Sequence, residues 1–73
     1  MFLIDKEILD KLKKEYPEGA RVELLQMDDS AAPPISTKGT VIGIDDIGTI
    51  HINWDNGSSL GVVYGKDRCQ IIK

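Results

Sequence analysis

Thr49-Ile50-His51-Ile52-Asn53-Trp54-Asp55-Asn56-Gly57-Ser58 decides the fold. Ile50, Ile52 and Trp54 alternate with His51, Asn53 and Asp55, the period of a strand with one buried face. Asn56-Gly57 ends the run with a pair that accepts positive φ, which predicts a type I′ hairpin. The same alternation, cut by turn residues at short intervals, runs in both directions from this stretch. It predicts strands at Arg21–Met27, Gly39–Asp45, Thr49–Asp55, Ser59–Tyr64 and Cys69–Ile72. One connection is long, from Asp28 to Thr37, and rich in acids and prolines. The others are tight: Asp46-Ile47-Gly48, Asn56-Gly57, and Gly65-Lys66-Asp67-Arg68, which resembles a single 3₁₀ turn. Alternation assigns Val22, Leu24, Ile42, Ile44, Ile50, Ile52, Trp54, Leu60 and Val62 to one interior.

Upstream the period is helical. Ile4, Ile8, Leu9, Leu12 and Tyr16 form one stripe over residues 4–16, with Asp5 as N-cap, lysines toward the C-terminal end, and Pro17 and Gly19 as the stop. The stripe is expected to pack on the rest of the domain. The reading is a mainly β protein: a five-stranded SH3-like barrel, about residues 19–73, with one N-terminal amphipathic α-helix, in a single domain over residues 1–73.

A chain of 73 residues has room for one small core and no separate catalytic domain. Nine Lys and Arg against twelve Asp and Glu give a net charge of −3, which disfavours bulk attraction to phosphate and makes nucleic acid an unlikely partner. The single Cys69 excludes an intrachain disulfide framework and suits a reducing, cytoplasmic setting. Met1-Phe2-Leu3-Ile4 is too short for a signal segment and nothing else is long enough to span a membrane.

Five segments carry a resemblance: Gly19-Ala20-Arg21-Val22-Glu23-Leu24, Met27-Asp28-Asp29, Ala32-Pro33-Pro34, Lys38-Gly39-Thr40-Val41 and Trp54-Asp55-Asn56-Gly57-Ser58. In this order and spacing, with Asp45-Asp46, Gly48, Gly65 and Asp67, the chain resembles the domain of unknown function 4314 family from the helix to its end. That resemblance implies short proteins of bacteria, their phages and conjugative elements, and it brings no catalytic residues. The Gly-Thr-Val strand and Trp-Asp-Asn-Gly hairpin are more distantly similar to the peptide-binding SH3-like repeats of Mind bomb-type ubiquitin ligases.

No residue pattern points to catalysis. His51 falls on the outer face with no nucleophile placed by a motif, and Cys69 reads as a small core or rim residue. Lys38-Gly39-Thr40 lacks the order of a phosphate loop, and the Asn56-Gly57-Ser58 sequon is explained by its hairpin. Asp28, Asp29, Asp45 and Asp46 flank one groove in an SH3-like fold. Their spacing matches no metal loop, so neither metal nor cofactor is expected, and a cationic or extended protein segment is the better partner. Pro33 and Pro34 stiffen the long loop, Trp54 and Tyr64 are candidates for an aromatic groove, and Met27, on the outer phase, adds apolar contact. The leading expectation is therefore a non-enzymatic interaction module binding a protein partner, an adaptor or inhibitor of a host or defence protein if carried by a mobile element. The alternative is a homo-oligomer that sequesters a nucleotide or metabolite, with Arg21, Lys38, Lys66 and Arg68 meeting phosphate and Trp54 or Tyr64 stacking a base. Nucleic-acid binding ranks third.

Overall fold

The computed structural model describes residues 4–72. Its elements are α1 (Lys6–Glu15), β1 (Arg21–Gln26), β2 (Lys38–Ile44), β3 (Thr49–Trp54), β4 (Val62–Val63) and β5 (Arg68–Ile71). All five strands pair antiparallel in one sheet of order β4-β3-β2-β1-β5, the SH3-like order expected. The barrel is approximate, because no ladder joins β4 to β5 among the described residues.

Asp5 caps α1 as expected, its carboxylate accepting the Glu7 N–H at 2.8 Å. The helix ends where Tyr16 N–H bonds the Leu12 carbonyl at 2.8 Å, just before Pro17. Only Leu12 of the helix is buried, with Ile8 and Leu9 half-buried; just ahead of the helix, Ile4 is half-buried against Gly48 in the β2–β3 turn.

The core is Val22, Leu24, Val41, Ile50, Ile52, Trp54, Val62 and Cys69, one apolar cluster drawn from every strand. Two β-bulges change which residues join it. In β2 the register with β3 slips between Val41 and Gly43. Val41 is consequently 0 % exposed and Ile42 48 % exposed, which reverses the expected interior place of Ile42, while Ile44 beyond the bulge packs back on the core. In β1 the register with β5 slips between Leu24 and Gln26. Leu25 and Gln26 then both face solvent and Met27 packs against the core, so Met27 is not the outward contact residue that strict alternation implies.

Three connections also differ from expectation. At Asn56-Gly57 only Gly57 has positive φ, at 94°, so the turn is not type I′. The Gly57 N–H bonds the Trp54 carbonyl at 3.0 Å and the Trp54 N–H bonds the Ser58 carbonyl at 2.9 Å: a four-residue turn centred on Asp55-Asn56, closed by a left-handed glycine. Asp45 to Thr49 repeats this pattern with Gly48 at φ 86°. Strand β4 is two residues long rather than Ser59–Tyr64. The Leu60 carbonyl ahead of it accepts the Trp54 indole N–H at 2.8 Å, and Leu60 is half-buried. In place of the single 3₁₀ turn expected over Gly65–Arg68, residues 64–67 form a turn with Gly65 at positive φ, held by Lys66 and Asp67 N–H bonds to the Val63 carbonyl, and Arg68 already opens β5.

Candidate functional site

The unzipped seam between β4 and β5 is where the surface becomes concave. A cleft of about 540 Å³ lies between the last turn of α1 and the β4–β5 bend. Leu12, Ile50, Val62 and Cys69 form its apolar floor, Tyr16 and Tyr64 flank it, and Lys66 and Arg68 stand among its charged lining. The bend is braced from inside: buried Asp67 accepts the Val63 N–H at 3.0 Å while its own N–H bonds the Val63 carbonyl at 2.9 Å. That double closure fixes the backbone carrying Tyr64, Lys66 and Arg68. On the opposite wall, the Tyr16 hydroxyl donates to the Cys69 carbonyl at 3.3 Å and so ties α1 to the edge of β5.

Ionisation follows this packing. Burial pushes the Cys69 thiol up to about 11, against the small opposing effect of the Tyr16 hydroxyl, so the thiol is protonated near neutrality. Burial also raises Tyr16, with the neighbouring Cys69 and Glu15 adding to it.

Of the residues expected to bind a partner, Tyr64 alone lines the cleft, 50 % exposed. Trp54 does not line a groove: at 3 % exposure it is a core residue, pinned by its indole bond to Leu60. Pro33 is buried and Pro34 exposed in a loop that is ordered by its own hydrogen bonds. The paired acids are divided in role. Asp29 accepts the Ala31 N–H at 2.8 Å, and Asp45 accepts the N–H groups of Ile47 and Thr49 at 3.1 and 2.9 Å, so both shape their own turns. Asp28 and Asp46 are exposed. Among the described residues no three His, Cys, Asp or Glu side chains converge on a point that could hold a metal, so the four acids do not form the joint cluster that the groove suggested.

The four cations of the alternative reading do not share one site either. Arg21 clamps Asp55 through both terminal nitrogens and bonds the Thr40 hydroxyl at 2.9 Å, with Lys38 close enough to act on the same carboxylate. The guanidinium hydrogen bond holds Asp55 below, and Arg21 above, its ordinary value. Lys66 and Arg68 belong to the cleft instead.

One pair was not legible beforehand. His51 faces outward as expected, and its Nε2 lies 2.9 Å from Asp45 Oδ2 across the β2–β3 turn. Partial desolvation pushes the Asp45 carboxyl up, but the Thr49 N–H, the His51 ring and the Ile47 N–H outweigh it and leave it below its usual value. The signal was the turn itself: its Asp45 to Gly48 span brings the start of the connection back beside β3.

Fold and site thus define a small, partly open SH3-like barrel with a helix-walled cleft at its seam. The chain belongs to the family described as domain of unknown function DUF4314, whose model matches residues 5–72. No curated protein and no solved structure matches it. No helix among the described residues is long and apolar enough to cross a membrane.

Proposed function

We propose that the protein is a non-enzymatic interaction module that holds an extended segment of a protein partner in the seam cleft. The observation that carries this reading is the cleft itself: an apolar floor lying between two unpaired strand edges, the arrangement that strand-adding peptide binders use. The reading moves the contact surface from the acidic loop to Tyr64 and the β4–β5 bend, since Asp29 and Asp45 are spent on local turns. On a phage or conjugative element such a module acts as an adaptor or inhibitor of a host or defence protein. Site-specific photocrosslinking tests it, with benzoylphenylalanine in place of Tyr64, of Asp29 or of Lys13 on the exposed helix face. A discrete protein adduct from position 64 alone is expected; an adduct from position 29 and none from 64 overturns the cleft as the contact surface.

The sequestration reading keeps one specific observation in its favour: Tyr64, Lys66 and Arg68 line the same cleft. Native mass spectrometry of untagged protein separates the two. A bare monomer fits the interaction module, and an oligomer carrying mass released on denaturation fits sequestration.

A further inference from the structure

The charged groups around the cleft are unequally engaged. Glu15 is within 4.0 Å of Lys11 on the next turn of α1, and the buried Asp67 carboxylate is held by the Val63 N–H. Lys66 and Arg68 are exposed, and neither joins an ion pair among the described residues. The cleft lining holds two carboxylates and two cations, but Asp67 is buried and Glu15 faces Lys11, so the charged groups left exposed without an ionic partner among the described residues are Lys66 and Arg68.

Backbone geometry adds a second element. The Ile72 N–H bonds the Arg21 carbonyl at 3.0 Å, so in the β1–β5 register Glu23 and Gln70 form the next exchanging pair. Cys69 and Ile71 therefore turn their N–H and C=O groups away from β1, toward the open edge. The Cys69 carbonyl is taken by Tyr16, and Ile71 continues the edge beyond it.

We propose that the cleft takes an extended segment of a protein partner in which an apolar side chain is flanked by Asp or Glu. The apolar group enters over Leu12, Ile50 and Val62, the carboxylates meet Lys66 and Arg68, and the segment's backbone runs along the outer edge of β5. This deepens the protein-binding reading above and rests on it. A phosphate-bearing small ligand would use the same two cations, but it would leave the apolar floor and the strand edge unused.

The test is selection of random dodecapeptides displayed on phage against the full chain. Fluorescence anisotropy of the selected peptides follows, with the wild type and with the K66Q/R68Q double variant, whose exposed substitutions leave the core intact; thermal melts verify this. The expected peptides place Asp or Glu on either side of an aliphatic or aromatic residue. Their affinity falls about tenfold in the double variant and weakens with salt in the wild type, as two solvent-facing charge contacts require. Amide resonances of Arg68–Ile71 shift on binding. Selection of basic peptides, or of binders sensitive to D28A/D29A and indifferent to the double variant, overturns the acidic segment and leaves the protein-binding reading standing. No selected peptide, with adenosine monophosphate shifting the cleft amides or without, overturns both.

Discussion

Gly39 is the tightest point of the barrel, and replacing it with alanine tests the packing directly. It is buried in β2 between its register partners Val22 and Trp54. A Cβ there would lie 2.6 Å from Ile52 Cγ2, 2.8 Å from Trp54 Cε3 and 2.9 Å from the Asn53 carbonyl oxygen. None of the three can yield cheaply. Ile52 is fully buried, the indole is pinned to Leu60, and the Asn53 carbonyl belongs to the strand paired with β2. Overpacking of this kind costs about 1–3 kcal/mol. A domain of 73 residues has about 4–11 kcal/mol of total stability, and at this size each kcal/mol moves the melting temperature by about 4–8 °C. G39A should therefore melt about 5–20 °C below the wild type when followed by circular dichroism, with the fold otherwise retained. A melting temperature within about 2 °C of the wild type would falsify the claim that β2 and the Trp54 ring meet here without spare space.

Two further outcomes follow from the cleft walls. With its thiol raised from 9.0 to about 11, Cys69 should be about one part in a thousand thiolate at pH 8, so a thiol reagent should label native protein about a hundredfold more slowly than urea-unfolded protein; equal labelling rates in the two states refute this. Cys69 and Tyr16 both hold their protons more tightly folded than unfolded, so the stability they contribute is intact below about pH 9 and is lost as pH climbs toward 11. Urea midpoints should be flat from pH 7 to 8.5 and decline above that. Asp67→Ala strips the acceptor from the half-buried Val63 N–H and should cost about 1–3 kcal/mol in urea unfolding. Asp67→Asn keeps a carbonyl acceptor and should lie closer to the wild type, whereas equal losses for both would show that the carboxylate charge, not the acceptor, closes the bend.

Periodicity and turn chemistry are local properties, and what depended on them alone was readable. The helix cap at Asp5, the strands around Ile50 and Val22, and the outward His51 follow from side chains within a few residues. The bulges at Ile42 and Leu25 are different, because an extra residue in one strand is specified by its partner strand rather than by its own pattern. Strict alternation therefore places Ile42 and Met27 on the wrong faces. Asn56-Gly57 was read from its dipeptide, which suits two turn types; the ladder bond from Trp54 to Ser58 selects between them. Of the candidate site, Tyr64, Lys66 and Arg68 were named from the sequence, but in two competing readings. Their meeting with Leu12 and Tyr16 depends on where α1 docks, which no local pattern encodes.

Trp54 shows why the missing part matters for function. Its alternation with Ile50 and Ile52 sends it inward, where it cannot touch a partner. Yet its indole N–H donates to the Leu60 carbonyl and ties the segment leading into β4, itself confined to Val62 and Val63, to the end of β3. No ladder joins β4 to β5, and the turn from Tyr64 to Asp67 spans the opening between them. The helix covers the opening only in part, through buried Leu12 and the Tyr16 bond to Cys69. The buried aromatic thus anchors the strand that borders the proposed contact surface, while the exposed residues on the β4–β5 bend supply the groups that a partner would meet.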